Sequence, residues 1–159
     1  MITVILPVKP PEPFLEILKE EIHKELCDMP HEILIQTEEG LSYAVRKGIE
    51  KARGEIIVVM DADGSHSPKY VKPMVELVQN GYDLVLGSRY VEGGSADLGF
   101  FRWLISQIYC RIARLILHLD IKDPMSGFIV GKRELAEKLE LADSSFKFGL
   151  ELILSLIHI

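Results

Sequence analysis

Two carboxylates two positions apart, Asp61 and Asp63, directly follow the unbroken apolar run Ile56 to Met60. A short, continuous, β-branched run predicts a strand buried on both faces, as in a parallel α/β sheet. Side chains two apart on an extended segment point the same way. Asp61 and Asp63 can therefore reach one object while Ala62 turns aside. Open α/β sheets bind ligands at the carboxyl ends of their strands. Two hard oxygen donors in that position suit Mg2+ or Mn2+, ions that are usually shared with substrate phosphates. The plain alternative is a polar loop after a core strand; the strand context favours a metal and a diphosphate.

Further signals follow in order: Gly87-Ser88-Arg89-Tyr90, then Arg102, then Asp123-Pro124-Met125-Ser126-Gly127-Phe128. Singly, each has an ordinary reading as a turn with a solvated arginine, a surface charge, or a turn aspartate. Together they put two acids and two guanidinium groups at the expected active end of a sheet. Acids hold a metal, and arginines grip phosphate oxygens in a bidentate way. His66, in the turn Ser65-His66-Ser67-Pro68, reads as a helix-opening residue rather than a base.

The elements that must position these residues alternate. Ile2 to Leu6 predicts a first strand, closed by Pro7 and the Pro10-Pro11 pair. A helix starting near Pro13 presents Phe14, Leu15, Leu18, Ile22 and Leu26 at helical spacing. Glu32 to Gln36 predicts a second strand. Gly40 opens a helix with the face Leu41, Ala44, Val45, Gly48, Ile49 and Ala52, and Gly54 stops it. Pro68 opens a third helix, which turns Val71, Met74, Val75 and Val78 inward and ends at Asn80-Gly81. Leu84 to Leu86 predicts a fourth strand, Phe128 to Val130 a short further one, and Arg133 to Leu139 a short helix. This alternation implies an α/β fold: a mostly parallel, Rossmann-like sheet with helices on both faces, in a single domain. Phe100 to Leu119 is one amphipathic stretch with Arg102, Arg111, Arg114, Trp103 and Tyr109. It reads either as a core-packing helix with a basic edge or as a helix at a membrane interface.

A chain of 159 residues can bury one real core. A net charge of -6 argues against nucleic acid as a partner. Cys27 and Cys110 lack metal spacing and read as buried thiols in a reducing compartment. The N-terminus enters a strand-like segment rather than a leader, and no apolar run reaches the roughly 18–20 residues of a membrane span. A soluble cytoplasmic domain, able to touch the cytoplasmic face of a membrane, is the expectation.

The run GLSYAVRKGIEKARGEIIVVMDADGSHSP, then LVLGSRYVEGG, FRWLIS, DPMSGF and FKFGLELI, closely resembles the dolichol-phosphate mannosyltransferase branch of the family 2 glycosyltransferases. The resemblance covers nearly all of the chain, from Ile2 to about Ile153. It implies a GT-A fold, a Mg2+ or Mn2+ cofactor, and inverting transfer of a mannose or glucose-type sugar. The implied donor is a nucleotide sugar, GDP-mannose or a UDP-sugar, and the implied acceptor is a polyprenyl or dolichyl phosphate. By position, Asp61 and Asp63 stand for the family's metal and diphosphate ligands. Pro7, Ala62 and Ser65 join them at the donor site, and Asp63, Arg89 and Arg102 are the implied catalytic residues. Arg89 and Arg102 match basic residues that face the diphosphate and the acceptor phosphate, and Glu151 lies in the late acidic helix motif. The first strand departs from the family's Pro-Thr-Tyr-Asn-Glu, running Pro7-Val8-Lys9-Pro10-Pro11-Glu12. The second strand ends in Gln36-Thr37-Glu38-Glu39-Gly40 where the family has Asp-Asp-Gly-Ser. The base, guanine or uracil, stays open.

Chemistry supports the acceptor class. A phosphate monoester carries about -1.5 to -2 charges at neutral pH, so its oxygen is already a nucleophile. A sugar hydroxyl would need a general base, and no further carboxylate or histidine presents itself. Two other readings remain. One is a nucleotide-sugar-binding inactive relative. The other is a haloacid-dehalogenase-type phosphatase, whose signature also has a strand followed by Asp-x-Asp-Gly-Ser. That family opens its core with this strand and needs a later acidic pair, whereas Leu84 to Arg89 ends in Gly-Ser-Arg. An EF-hand is excluded, because Gly64 is the fourth residue of such a loop and Lys72 the twelfth.

The last six residues, Leu154-Ser155-Leu156-Ile157-His158-Ile159, resemble one translated frame of a transposon mosaic-end adapter. A catalytic domain over 1–153, incomplete at its C-terminus, followed by a non-native tail at 154–159, is the expected organisation.

Overall fold

A computed structural model describes residues 1–9, 12–37, 40–88, 104, 105, 107, 108, 110–112, 115, 121, 123, 124 and 126–137. In chain order the elements are β1 (Ile2–Pro7), α1 (Leu15–Glu25), β2 (His31–Gln36), α2 (Leu41–Lys51), β3 (Ile56–Val59), a 3-10 turn (Pro68–Tyr70), α3 (Val71–Gln79), β4 (Leu84–Leu86), β5 (Ile129–Lys132) and α4 (Arg133–Glu137). The strands form one sheet in the order β2-β1-β3-β5-β4.

The central strands β1 and β3 carry apolar residues on both faces, Thr3 excepted, because each face meets a helix layer. Val4, Leu6, Val58, Met60 and Val130 pack with Leu18 and Ile22 of α1 and with Val71, Val75 and Val78 of α3. Ile5, Ile57, Val59 and Ile129 point the other way, against Val45 and Ile49 of α2 and Ala136 of α4. Each such side chain taken fully out of water contributes about 1.5–3 kcal/mol.

β1 runs parallel to β2 and to β3. β5 runs antiparallel to both its neighbours, β3 and β4, so the sheet is mixed where the alternating pattern alone suggests parallel pairing. The reason is topological. The chain leaves β4 at its carboxyl end and re-enters the sheet at that same edge, where the Gly87 N–H donates to the Phe128 carbonyl at 2.8 Å. A strand entering from that edge must run back against its neighbours. This return delivers the 123–128 turn to the end of the sheet where Asp61 stands.

Two local readings are corrected. Phe14 does not join the inward face of α1. It precedes the first helical turn and is 54% exposed. Cys27 is exposed, whereas Cys110 is buried. Cys27 follows the buried Leu26 at the end of α1, and one step around a helical turn rotates it away from the sheet.

The described residues among 104–115 are helical. Leu104, Ile105, Ile108, Ile112 and Leu115 are exposed, while Cys110 on the opposite side is buried. The apolar stripe of this segment therefore faces outward instead of into the core. Among the described residues, no helix is long and apolar enough to cross a membrane.

Candidate active site

The parallel β1–β3 register pairs Ile5 with Val59, and the Met60 N–H donates to the Ile5 carbonyl at 3.3 Å. Carried two residues further, this register sets Pro7 beside Asp61. Next to them in the sheet lies the start of β5, so Gly127 comes up against Asp61 from the other side. Pro7, Asp61 and Gly127 thus share the carboxyl end of the sheet's parallel strands.

Ala62 is buried in the core, Asp61 is partly covered and Asp63 is exposed. Immediately after Asp63 the chain turns. The Ser65 N–H donates to Asp63 Oδ1 at 2.9 Å, a local side-chain turn that aspartate favours, and Gly64 adopts a φ of +81°. The two acids differ electrically. Burial pushes the Asp61 carboxyl above the usual carboxylate range and the Asp63 charge adds to it; a positive charge on His66, when the ring is protonated, acts the other way. For Asp63 burial acts in the same upward sense, but the Ser65 hydroxyl and N–H outweigh it and hold the carboxyl below its usual range.

A divalent cation fits this arrangement. A side chain at Gly127 would start 3.4 Å from Asp61 Oδ2 and 3.8 Å from Oδ1. The glycine leaves open a cradle facing both oxygens of that carboxylate. Both acids offer hard oxygen donors, which suit Mg2+ or Mn2+. Among the described residues no group of three His, Cys, Asp or Glu side chains forms a self-sufficient metal site. The remaining ligands would be water and diphosphate oxygens, the usual division of labour for Mg2+.

Ser126 ties the site together. Its hydroxyl donates to the Gly87 carbonyl at 2.5 Å and accepts the Phe128 N–H at 3.2 Å. The Asp123-to-Phe128 turn is thereby pinned to the end of β4, next to Ser88. Asp123 is almost fully buried, with Cys110 Sγ 3.7 Å from its Oδ1. Ser126→Ala leaves a carbonyl and an amide without their partner, at a cost of about 2 kcal/mol. The expected melting temperature falls by about 4–8 °C; an unchanged melting curve would release Ser126 from this role.

His66 is more than the opening of a helix. It folds back over Asp61 and stacks on Phe128 with ring centroids 5.1 Å apart. Neither the role of Ser126 nor that of His66 has a periodic signature; only the proximity of Ser65-His66 to the acids and the Ser-Gly pair in the later turn hint at them. Arg89, Arg102 and Glu151 lie outside the described residues.

The glycosyl transferase family 2 pattern matches residues 15–140. The chain is 40% identical over 129 residues to the dolichol-phosphate mannosyltransferase of Pyrococcus furiosus, an overlap of 79% of this chain and 37% of that protein. It is 35% identical over 130 residues to the Saccharomyces cerevisiae dolichol-phosphate mannosyltransferase, covering 78% and 48% respectively. With the polyprenol monophosphomannose synthase of Mycolicibacterium smegmatis it shares 34% over 104 residues, 65% of this chain and 37% of that one. The chain thus spans less than half the length of these curated relatives. Among solved structures, a glucosyl-3-phosphoglycerate synthase from Mycobacterium tuberculosis in complex with Mn2+, UDP and phosphoglyceric acid superposes with a TM-score of 0.74. Its identity is 18% over 99% of this chain and 64% of that one, a likeness of fold.

Proposed function

The chain belongs to glycosyltransferase family 2, and from that premise we propose that it carries the donor-binding part of an inverting transferase that moves a mannose or glucose-type sugar from a nucleotide sugar to a polyprenyl phosphate. The observation that carries this reading is the position of Asp61 and Asp63 at the carboxyl end of β3, beside Pro7 and the open face of Gly127. The relatives named dolichol-phosphate mannosyltransferase and polyprenol monophosphomannose synthase support the acceptor class. Family membership displaces the phosphatase alternative.

In this reading Asp61 and Asp63 would hold Mg2+ or Mn2+, and Pro7, Ala62 and Ser65 would line the donor. The bound cation supplies Lewis-acid charge to the departing diphosphate. An acceptor phosphate oxygen attacks the anomeric carbon, the bond from that carbon to the diphosphate oxygen breaks, and the configuration inverts. The phosphate needs no deprotonation, so no base is required of the protein. Arg89 and Arg102 grip phosphate oxygens, where planar bidentate contacts favour arginine over lysine. The exposed stripe of Leu104, Ile108, Ile112 and Leu115 suits the apolar side of a bilayer interface, where a polyprenyl chain resides.

The protein is to be incubated with Mn2+, a short-chain polyprenyl phosphate and, in turn, GDP-mannose, UDP-glucose and UDP-N-acetylglucosamine. The expected product is a glycosyl phosphate lipid from one donor, identified by mass spectrometry of the extracted lipid. Transfer to a soluble hydroxyl acceptor with none to lipid would overturn the acceptor assignment. Donor binding without any turnover would favour the inactive-relative reading.

A further inference from the structure

We propose that His66 is a positioning residue for Asp61, fixing its main chain and thereby setting the affinity of the site for a divalent cation; this rests on the metal–diphosphate reading above. The Asp61 N–H donates to His66 Nδ1 at 3.0 Å. With Nδ1 used as an acceptor, a neutral ring carries its proton on Nε2. That nitrogen lies 3.9 Å from Asp61 Oδ2, beyond direct hydrogen-bonding distance but on the carboxylate's side. The hold of the imidazole on Asp61 is therefore through the main chain.

The ring is itself held. It stacks on Phe128 with an interplanar angle of 16°, and a side chain at Gly127 would start 3.6 Å from its Cε1. Phe128 in turn has its N–H bound by Ser126 and its carbonyl bound by Gly87. His66 thus transmits the position of the β4–β5 edge to Asp61, just past the end of β3. The same arrangement argues against His66 as a general base: in this tautomer neither ring nitrogen offers a free lone pair. Groups that orient a metal ligand typically change metal affinity by about 10–100-fold when removed.

Two substitutions separate the hydrogen bond from the stack. His66→Phe keeps an aromatic ring on Phe128 but leaves the Asp61 N–H without its acceptor. His66→Asn loses the stack, while its amide oxygen can stand near the place of Nδ1. Mn2+ binding is read from the loss of the free-ion electron paramagnetic resonance signal, with Mn2+ alone and with excess GDP or UDP. His66→Phe is expected to weaken binding at least tenfold, and His66→Asn to stay within about threefold of wild type. Equal affinities in all three proteins would overturn the proposal. The reverse order, with Asn worse than Phe, would also overturn it by assigning His66 to packing. If the wild-type chain binds no Mn2+ under any of these conditions, the metal reading itself falls. Folding of each variant is checked by circular dichroism; should His66→Phe not fold, His66→Leu, also without an acceptor, takes its place with the same expectation.

Discussion

Asp63→Asn is expected to remove the Mn2+-dependent stabilisation of this protein by nucleotide sugar while leaving the fold of the unliganded protein intact. Asparagine keeps the side-chain oxygen that accepts the Ser65 N–H, so the turn after β3 survives and only the charge is lost. Asp63 is exposed, so no core contact changes. In the wild type, ligand at about a hundred times its dissociation constant stabilises by about 2.7 kcal/mol. For a chain of this size that is a rise of about 5–10 °C in melting temperature. The variant should show little or none of it. In a turnover assay the loss should be larger, because charge stabilisation of a departing diphosphate is worth several kcal/mol, about a thousandfold in rate. A thermal shift in Asp63→Asn equal to that of the wild type would remove this residue from cation binding. The paired substitution Asp61→Asn tests the other acid, with one difference: its backbone N–H still bonds His66, so a loss there reports on the carboxylate alone.

Much of the framework is legible in the sequence because the decisive signals are local. The run Ile56 to Met60 has no polar residue because Val58 and Met60 face one helix layer and Ile57 and Val59 the other. The face of α2 is readable for the same reason, with Ala44, Val45, Gly48 and Ile49 all buried at helical spacing. What is not legible depends on contacts between distant segments. The direction of β5 follows from where the chain returns to the sheet, and no residue in Ile129 to Lys132 encodes that direction. The hydroxyl of Ser126 acts across 39 positions on Gly87, and the ring of Phe128 meets His66 only after β5 has entered between β3 and β4. The outward stripe of Leu104, Ile108 and Ile112 has the periodicity of a core-facing helix; periodicity marks an apolar face but does not say what covers it.

Gly54→Ala is expected to cause the largest loss of stability of any single methyl addition at a glycine outside the site. A side chain at Gly54 would start 2.6 Å from the Thr3 backbone nitrogen, 2.7 Å from the Ile2 carbonyl carbon and 2.8 Å from the Met1 carbonyl oxygen. All three are backbone atoms. Those of Ile2 and Thr3 belong to β1, which is paired on both sides, so they cannot rotate away as a side chain would. The Gly54 N–H also donates to the hydroxyl of the buried Thr3 at 2.8 Å, and that hydroxyl donates to Glu32 at 2.7 Å. Glu32 in turn accepts the Arg53 N–H. Pushing residue 54 outward therefore strains a chain of bonds that joins β1, β2 and the end of α2. Overpacking of this kind costs about 3 kcal/mol at the upper end of its usual range, a fall of about 6–12 °C in melting temperature. Gly64→Ala is the comparison. There a φ of +81° is the obstacle and nothing lies within 4 Å of the added carbon, so the cost is about 1–2 kcal/mol. Measured by urea denaturation, Gly54→Ala should be the more destabilised of the two. The opposite order would mean that β1 yields to the added methyl, and that the close approach of residue 54 is not what selects glycine there.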